Sequence, residues 1–416
     1  MKKITAILLC AALTIGLLVS CGKENSDMPD TSSVASDVQG VLDNINSATA
    51  AGEKETTTPG TYNYTEFMTP VWEGETSYAE TVFMLQKDGG LPEAQLLYTP
   101  EKVLKVQSPD LTETYEEGRD YTIEGRTIRL TENSRAPYMT EADMYPESPR
   151  GTDDSMKVGG GYLALNLPNG KHFCEMQLAV TYTHKETGFE NFTPSSYGDK
   201  TIPKTLQKLQ NGEDLNIIIY GDSIGAGAET SGFWKMKPNV PSWSRLINLG
   251  LMQLYPDSRV TMTTVAEGGT ATQWGVDNAK ELVASKKPDL VFITFGMGDA
   301  HAVYRLTPEQ FGENYQKMID IIRETSPDTE FVLMSTMLAN PEAEGFTGRQ
   351  AEYLKPLQEI ERANTGVAVA NVTEANSFIL SRKKFWDVSG NGVNHPGDYM
   401  TRVYAQCAMQ IFIKPE

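Results

Sequence analysis

The sequence has few of the residues that build metal centres. It contains four histidines among 416 residues, and no two of them have the close spacing typical of a zinc site. Zinc sites use Cys and His ligands at short, regular intervals, so we expect no metal site and no cofactor. The four histidines are His172, His184, His301 and His395.

Cysteine is equally scarce, with four residues in the whole chain. Two of them, Cys10 and Cys21, fall in the N-terminal leader described below. The other two, Cys174 and Cys407, lie far apart in the sequence and have no metal-ligand spacing. We expect two buried free thiols, and one disulfide is the alternative.

An excess of positive charge is also lacking. The formal net charge is −19, with 55 acidic residues against 36 basic ones. Such a chain is repelled by nucleic acid and by anionic lipid surfaces, so neither is an expected partner. The hydrophobic content of 39% is that of an ordinary globular protein.

The chain has one long apolar run, and it stands at the N-terminus. "MKK" followed by "ITAILLCAALTIGLLV" has the pattern of a signal peptide over residues 1–20. The run ends in "LVSCG", which resembles a bacterial lipobox with Cys21 as the lipidated residue; an ordinary secretory signal is the alternative. Residues 21–60 are rich in Ser, Thr, Asp and Ala and predict a flexible tether. We therefore expect an extracytoplasmic protein anchored by lipid to a bacterial membrane.

Residues 61–205 have the pattern of a β-sandwich domain. Short strand-like segments alternate with turn signals, and "YTIEGRTIRL" predicts a hairpin that turns at Glu124-Gly125. No long helical pattern interrupts them, which favours two packed sheets. Aromatic residues such as Trp72 are candidates for a glycan-binding platform, and a place in the sandwich core is the alternative.

Residues 206–416 change to an alternation of buried strands and helices. "NIIIYG", "DLVFITFG", "EFVLMSTM" and "VAVANV" are apolar throughout, as are strands covered on both faces. The segment 307–325 predicts a helix with Thr307 as its N-cap and Pro308 in its first turn. This alternation predicts a parallel α/β sheet, whose chemistry lies at the carboxyl ends of the strands.

Ser223 and His395 are the leading candidates for chemistry at that edge. Ser223 follows the first strand in "YGDSIGAG", and His395 precedes the last helix in "NGVNHPGD". A serine becomes a nucleophile at neutral pH when a base can reach it, and an imidazole is the usual base. His301 follows a glycine-rich turn and is a second candidate, whereas His172 and His184 belong to the β-rich half.

Four blocks in this half resemble the SGNH (GDSL-type) hydrolase family. They are "YGDSIGAG", "AEGGTAT", "TFGMGDA" and "NGVNHP". The resemblance implies a flavodoxin-like parallel sheet, with Ser223 as nucleophile and His395 as base. It also implies an oxyanion hole formed by the amides of Ser223 and Gly269, with Gly268 as the alternative to Gly269.

The third block departs from the family, because Gly298 stands where the family has an oxyanion-binding asparagine. Loss of one such donor lowers the rate by about 10²–10³. We therefore expect a weaker hole at Gly298. Gln273 and Asn278 are candidates for a replacement donor.

The last block departs as well, because Gly392 stands three residues before His395, where the family has an aspartate. A backbone carbonyl orients the imidazole in relatives with a Ser–His dyad. Asp387 is a candidate replacement acid, and Asn394 is a candidate for positioning the neighbouring turn.

Two acids near the candidate site have simpler expected roles. Asp222, beside the serine, is expected to bond to nearby backbone and set the turn. Asp299, in the third block, is expected to be structural.

Taken with the resemblance, these residues predict a serine esterase that removes small acyl groups, acetyl above all, from carbohydrate. The arrangement resembles carbohydrate esterases with an N-terminal β-sandwich, and the expected partner is an acylated polysaccharide or oligosaccharide. The alternative is a catalytically impaired SGNH protein that binds a cell-surface or dietary glycan. "GDSIG" also fits the G-x-S-x-G elbow of α/β-hydrolases, but a β-rich region precedes it where that fold has several βα units. A lipase is less favoured, because the sequence has no evident long apolar segment that could form a lid.

Overall fold

A computed structural model describes residues 60–147, 155–158, 161–164, 171–186 and 188–414. The predicted signal peptide, Cys21 and all but the last residue of the predicted tether lie outside the described residues. Within these ranges, no helix combines the length and the apolarity that crossing a membrane requires.

The chain has two regions: a β-rich region comes first, and a region of mixed strands and helices follows it. The strands are β1 (Thr76–Phe83), β2 (Leu85–Gln86), β3 (Glu93–Gln95), β4 (Lys102–Gln107), β5 (Thr114–Tyr115), β6 (Tyr121–Glu124), β7 (Thr127–Leu130), β8 (Met139–Thr140), β9 (Ser155–Val158), β10 (Gly161–Ala164), β11 (Gln177–Thr183), β12 (Leu215–Gly221), β13 (Val260–Ala266), β14 (Leu290–Thr294), β15 (Glu330–Met334) and β16 (Val367–Ala370). The α-helices are α1 (Tyr64–Met68), α2 (Glu141–Met144), α3 (Pro203–Gln210), α4 (Trp243–Leu254), α5 (Thr272–Asn278), α6 (Pro308–Thr325), α7 (Leu354–Ala363), α8 (Val372–Arg382), α9 (Phe385–Val388) and α10 (Asp398–Met409).

The second region is built on a five-stranded parallel sheet with the order β13-β12-β14-β15-β16. Numbered from its first strand this is 2-1-3-4-5, the flavodoxin-like order. Side chains of β12 alternate between two buried clusters: Ile217 and Ile219 face one, and Ile218 and Tyr220 face the other. The sheet is therefore covered on both faces, and the predicted α/β fold class is confirmed.

Helix α6 begins where the sequence predicts. The Thr307 side chain accepts a hydrogen bond from the Gln310 backbone N–H, and the Gln310 side chain returns one to the Thr307 N–H. The apolar residues of α6 recur at helical spacing and are buried, namely Phe311, Tyr315, Met318, Ile319 and Ile322. At the end of α4, Leu251 is buried whereas Leu254 is 45% exposed.

The first region contains two larger sheets and a separate β9–β10 hairpin. One sheet is antiparallel, in the order β1-β11-β4-β5. The other has the order β6-β7-β3-β2-β8 and is antiparallel apart from the pair β2–β8. The β-rich fold class is thus confirmed, and the boundary at residues 205/206 stays a prediction. The predicted hairpin exists, but its two-residue turn is Gly125-Arg126, one residue later than expected.

The two regions share buried side chains. Trp72 is 4% exposed and packs edge-on against Phe192, so it belongs to the core and not to a glycan platform. The same cluster of buried residues continues into β12 and α10 of the parallel-sheet region. Cys174 and Cys407 are both buried free thiols, as the first of the two sequence hypotheses states.

Polar groups also join the regions through their common interior. Lys383 Nζ lies 2.5 Å from Glu80 Oε1, and both side chains are fully buried. The Arg402 guanidinium of α10 donates to the backbone carbonyls of Phe67, Tyr78 and Ala79. Buried charges need such partners because desolvation is costly, so these contacts fix the two regions against each other.

Candidate active site

Ser223 lies just beyond the carboxyl end of β12, between the neighbouring strands β13 and β14. This is the point at which the strand order reverses, where open parallel sheets bind their ligands. The strand ends in Gly221 because β14 passes close by: a Cβ added there would lie 2.3 Å from the Thr294 carbonyl oxygen. The chain can therefore leave the sheet at this glycine and present the serine.

The turn around Ser223 is held by groups of its own region. Asp222 Oδ1 accepts a hydrogen bond of 2.9 Å from the Ile224 N–H, as predicted for a turn-setting acid. The Ile224 carbonyl accepts another, of 2.8 Å, from Trp243 Nε1. Burial raises the pKa of Asp222 to about 7. Both neighbours of Ser223 are buried while the serine is half-buried, so its hydroxyl is the group offered to a ligand.

His395 is brought to this serine from 172 residues away in the chain. Its Nε2 lies 2.7 Å from Ser223 Oγ, a hydrogen-bonding distance. The His395 carbonyl is fixed by the Ser389 hydroxyl at 2.9 Å and the Gly390 N–H at 3.0 Å. Burial lowers the pKa of the imidazole to about 4, so the ring is neutral at physiological pH. The structure thus brings together the serine and the histidine that the sequence selects.

Asn391 contacts the other side of the imidazole, and the sequence analysis missed it. Its Nδ2 lies 2.7 Å from His395 Nδ1 and 3.0 Å from Asn394 Oδ1. Its Oδ1 accepts backbone N–H bonds from Val393, Asn394 and His395. The available signal was an asparagine four residues before the histidine, one position earlier than the aspartate of the family pattern.

Asp387 does not occupy the orienting position that the sequence hypothesis gives it. Its Oδ1 accepts the Phe83 N–H at 2.7 Å, and its Oδ2 accepts the Lys384 N–H at 2.9 Å. Burial raises the pKa of this carboxyl. Asp387 therefore caps the short helix α9 and ties it to β1, and the structure gives it no hydrogen bond with His395. That hypothesis is corrected on these contacts.

The candidate oxyanion donors lie on three turns at the same edge. Among the described residues, none accepts a hydrogen bond from the backbone N–H of Ser223, Gly269 or Gly298. A Cβ added at Gly268 would lie 4.0 Å from Ser223 Cβ, so this turn lies beside the nucleophile. The Gly269 carbonyl accepts a bond of 3.0 Å from the exposed Tyr304 hydroxyl. Both glycines of the second block thus remain candidates.

Gly298 is a close-packed position. A Cβ added there would lie 2.0 Å from the Thr270 carbonyl oxygen. The space that a family asparagine needs is therefore filled by the backbone of the second block. Neither candidate replacement serves as an oxyanion donor, because both amides already donate elsewhere. The Gln273 amide donates to Asp277, and the Asn278 amide donates to the Trp274 carbonyl.

The remaining polar candidates have structural contacts. Asp299 is fully buried and accepts bonds from the backbone N–H and the hydroxyl of Thr272, as expected for a structural acid. His301 packs edge-on against Phe346 and accepts a bond from the Val303 N–H. His184 bonds through Nδ1 to the Glu186 carbonyl.

The β-rich region reaches the segment that carries His395. The Gln177 amide on β11 donates to the carbonyls of Trp386 and Ser389, both at 2.8 Å. The Phe173 ring packs against Gly392, where an added Cβ would lie 2.7 Å from the ring. The position of the histidine is therefore set by contacts from both regions.

A half-buried aromatic pair is linked to the same segment through Glu229. Trp234 stacks on His172 with 3.8 Å between ring centroids, and its Nε1 donates to Glu229. Glu229 in turn packs against Gly390, where an added Cβ would lie 2.5 Å from the Glu229 Cβ. His172, which the sequence analysis set aside, is thus linked to the histidine loop through three successive contacts. Burial raises the pKa of Glu229 to about 8.

Metal ligation has no candidate in the described part of the chain, where no group of three or more His, Cys, Asp or Glu residues is placed to hold an ion. The chemistry that the arrangement supports is proton transfer between a hydroxyl and an imidazole, next to free backbone N–H groups. These are the groups that acyl transfer requires: a nucleophile, a base and donors for an oxyanion.

Comparison with known proteins agrees with that chemistry at the level of the family. Residues 219–402 match the GDSL-like Lipase/Acylhydrolase family. Among curated proteins, none matches the chain.

Solved structures that resemble the chain include the following three. A two-domain esterase active on acetylated mannans has 21% sequence identity and a TM-score of 0.40, over 50% of this chain and 51% of that chain. An acetylxylan esterase from Geobacillus stearothermophilus has 16% identity and a TM-score of 0.39, over 48% of this chain and 94% of that one. An α/β hydrolase from the metagenome of Lake Arreo, Spain, has 15% identity and a TM-score of 0.40, over 48% and 97%. The chain thus spans about half the length of the two-domain esterase.

Proposed function

We propose that this chain, whose residues 219–402 match the GDSL-like Lipase/Acylhydrolase family, is a serine esterase that removes small acyl groups from carbohydrate. The observation that carries the proposal is the 2.7 Å distance between Ser223 Oγ and His395 Nε2. A neutral imidazole at that distance can accept the hydroxyl proton as the oxygen attacks. Burial keeps His395 neutral, because it lowers the pKa of the ring.

The reaction proceeds in two balanced halves. Ser223 Oγ bonds to the ester carbonyl carbon while its proton passes to His395 Nε2, and the carbonyl oxygen becomes an oxyanion. The N–H groups of Ser223 and of Gly268 or Gly269 stabilise that charge. The intermediate collapses, the sugar oxygen leaves with the proton from His395, and an acyl-serine remains. Water then attacks the acyl-serine by the same steps and releases the carboxylic acid.

Carbohydrate as the leaving group is supported by two features. The sequence arrangement, a β-rich region before an SGNH domain, resembles that of carbohydrate esterases. The half-buried Trp234 ring, which is linked to the histidine loop through Glu229, offers a flat aromatic face of the kind on which a sugar ring packs. A lipid-anchored, extracytoplasmic location through Cys21 fits a polysaccharide substrate and is part of the proposal.

The test is hydrolysis of p-nitrophenyl acetate and of acetylated xylan or mannan by the purified protein and its Ser223→Ala variant. We expect the variant to lose kcat by about tenfold or more, because its nucleophile is gone. Equal rates for the two proteins would refute the esterase. A preference for p-nitrophenyl octanoate over the acetate would refute the small acyl group.

An impaired protein that binds glycan is the second candidate, and it is favoured by the packing at Gly298, where the family oxyanion donor has no room. It predicts binding of xylan or mannan that is equal in the parent, Ser223→Ala and His395→Ala proteins, together with background hydrolysis by all three.

A further inference from the structure

We infer that Asn391 holds the His395 imidazole with its proton on Nε2, so that the resting site directs a hydrogen and not a lone pair at the Ser223 oxygen. Asn391 is thereby a positioning residue that restrains the site. The kinetic part of this inference rests on the proposed esterase function, whereas the position of the proton can be observed without any activity.

The orientation of the Asn391 amide is fixed by its own loop. Its oxygen accepts three backbone N–H bonds, from Val393 at 3.0 Å, Asn394 at 3.0 Å and His395 at 3.2 Å. A rotated amide would point its NH₂ group at three N–H donors and lose all three bonds. The loss of three hydrogen bonds at one atom therefore strongly disfavours the rotated form.

With the oxygen so placed, the amide NH₂ faces the imidazole. Asn391 Nδ2 lies 2.7 Å from His395 Nδ1 and 3.0 Å from Asn394 Oδ1, so its two hydrogens have one acceptor each. A nitrogen that accepts a hydrogen bond carries no hydrogen of its own. A neutral imidazole has one N–H, and since Nδ1 is the acceptor here, the hydrogen is on Nε2.

This tautomer is the reverse of what acyl transfer requires. To accept the serine proton, Nε2 must be bare and the ring hydrogen must be on Nδ1, where it would meet the Asn391 NH₂ group. In Ser–His–Asp sites, changing the acid to its amide enforces the wrong tautomer and lowers kcat by about 10⁴. The parent protein is therefore a slow esterase that reacts through a minor tautomer.

The Asn391→Asp variant reverses the restraint with little change of shape. One carboxylate oxygen keeps the three backbone N–H bonds, and the other accepts a hydrogen from His395 Nδ1. The Asn394 amide rotates to donate where it now accepts, since the Asn391 NH₂ group is the partner its oxygen has. Asn394→Asp is the matched control, because it adds the same charge to the same loop but leaves the Asn391 donor in place.

The first test is the position of the proton, read by ¹⁵N nuclear magnetic resonance of histidine-labelled full-length protein at pH 7. Loss of signals in His395→Gln assigns the ring among the four histidines. We expect an unprotonated Nδ1 and a protonated Nε2 in the parent protein, and the opposite in Asn391→Asp. A protonated Nδ1 in the parent protein would overturn the inference.

The second test is kcat for p-nitrophenyl acetate. We expect Asn391→Asp to exceed the parent protein by tenfold or more and Asn394→Asp to stay within about threefold of it. An equal gain in both variants would attribute the effect to charge and overturn the role of Asn391. If Ser223→Ala equals the parent protein in rate, the proposed esterase fails, while the resonance result still decides the tautomer.

Discussion

The two halves of the candidate dyad are supported in different ways. Ser223 is held within the parallel-sheet region, by Asp222 and by a bond from Trp243 to the next residue. The His395 loop is held across the molecule, because Gln177 and Phe173 of the β-rich region contact it directly. The comparison teaches that the nucleophile needs one region of the protein, whereas the base needs both.

The largest effect is expected from breaking the buried ion pair between the regions. Lys383→Met leaves the Glu80 carboxylate buried without its cation, and such a loss destabilises a protein by about 3–5 kcal/mol. The segment that follows Lys383 leads to His395, so activity should fall as well. Denaturant unfolding and the rate with p-nitrophenyl acetate measure the two effects.

Two controls accompany this variant. The double variant Lys383→Met/Glu80→Gln removes both charges and should recover most of the lost stability. Arg129→Met breaks an ion pair with Glu93 whose side chains are 42% and 44% exposed, so it should cost less than about 1 kcal/mol. A similar small cost for Lys383→Met would show that the two regions do not depend on this contact.

On the serine side, restoring the family asparagine is expected to harm the protein. In Gly298→Asn the new Cβ would lie 2.0 Å from the Thr270 carbonyl oxygen, so the second-block turn must shift. Overpacking of this kind costs about 1–3 kcal/mol, and the shift moves Gly268 and Gly269 away from the oxyanion. We expect a lower midpoint of thermal unfolding and a kcat at least tenfold lower.

Gly268→Ala is the matched control for stability, because its Cβ would come no nearer than 4.0 Å to Ser223 Cβ. Its unfolding midpoint should stay near that of the parent protein. A faster Gly298→Asn enzyme would show that the turn has room for the side chain and that the missing donor limits the rate.

The smallest effect concerns pH. An ordinary histidine titrates near ~6.5, which predicts that activity falls on acidification through that value. Burial lowers the pKa of His395 to about 4, and the neutral ring is the base, so the rate should stay within about twofold from pH 8 to pH 5.5. Circular dichroism over the same range controls for unfolding. A half-loss of the rate near pH 6.5 in folded protein would contradict the buried, uncompensated imidazole.

Much of this comparison could be predicted from the sequence. The strands of the parallel sheet are continuous apolar runs, and three of the four blocks follow their carboxyl ends, so Ser223 and His395 could be selected without coordinates. The helix from Pro308 to Thr325 carries its start signal in Thr307 and Gln310. These features depend on short stretches of chain, where local preference and burial agree.

What could not be predicted depends on contacts between distant segments. Asp387 stands at a plausible distance in the sequence, but its oxygens are taken by Phe83 and Lys384. The sequence shows at Gly298 only that an oxyanion-binding side chain is missing. The structure adds that the Thr270 backbone fills the space such a side chain would need. Asn391 was missed because its role follows from three loop N–H groups that meet one oxygen.

The bond from Gln177 to the loop carrying the histidine has a consequence for protein engineering. An enzyme designer who grafts the parallel-sheet unit onto a different accessory module would carry over the nucleophile with its turn intact. The two carbonyls that Gln177 binds would lose this donor, and the loop that carries His395 would lose a contact that positions it beside the serine. The transplantable unit is therefore the pair of regions together.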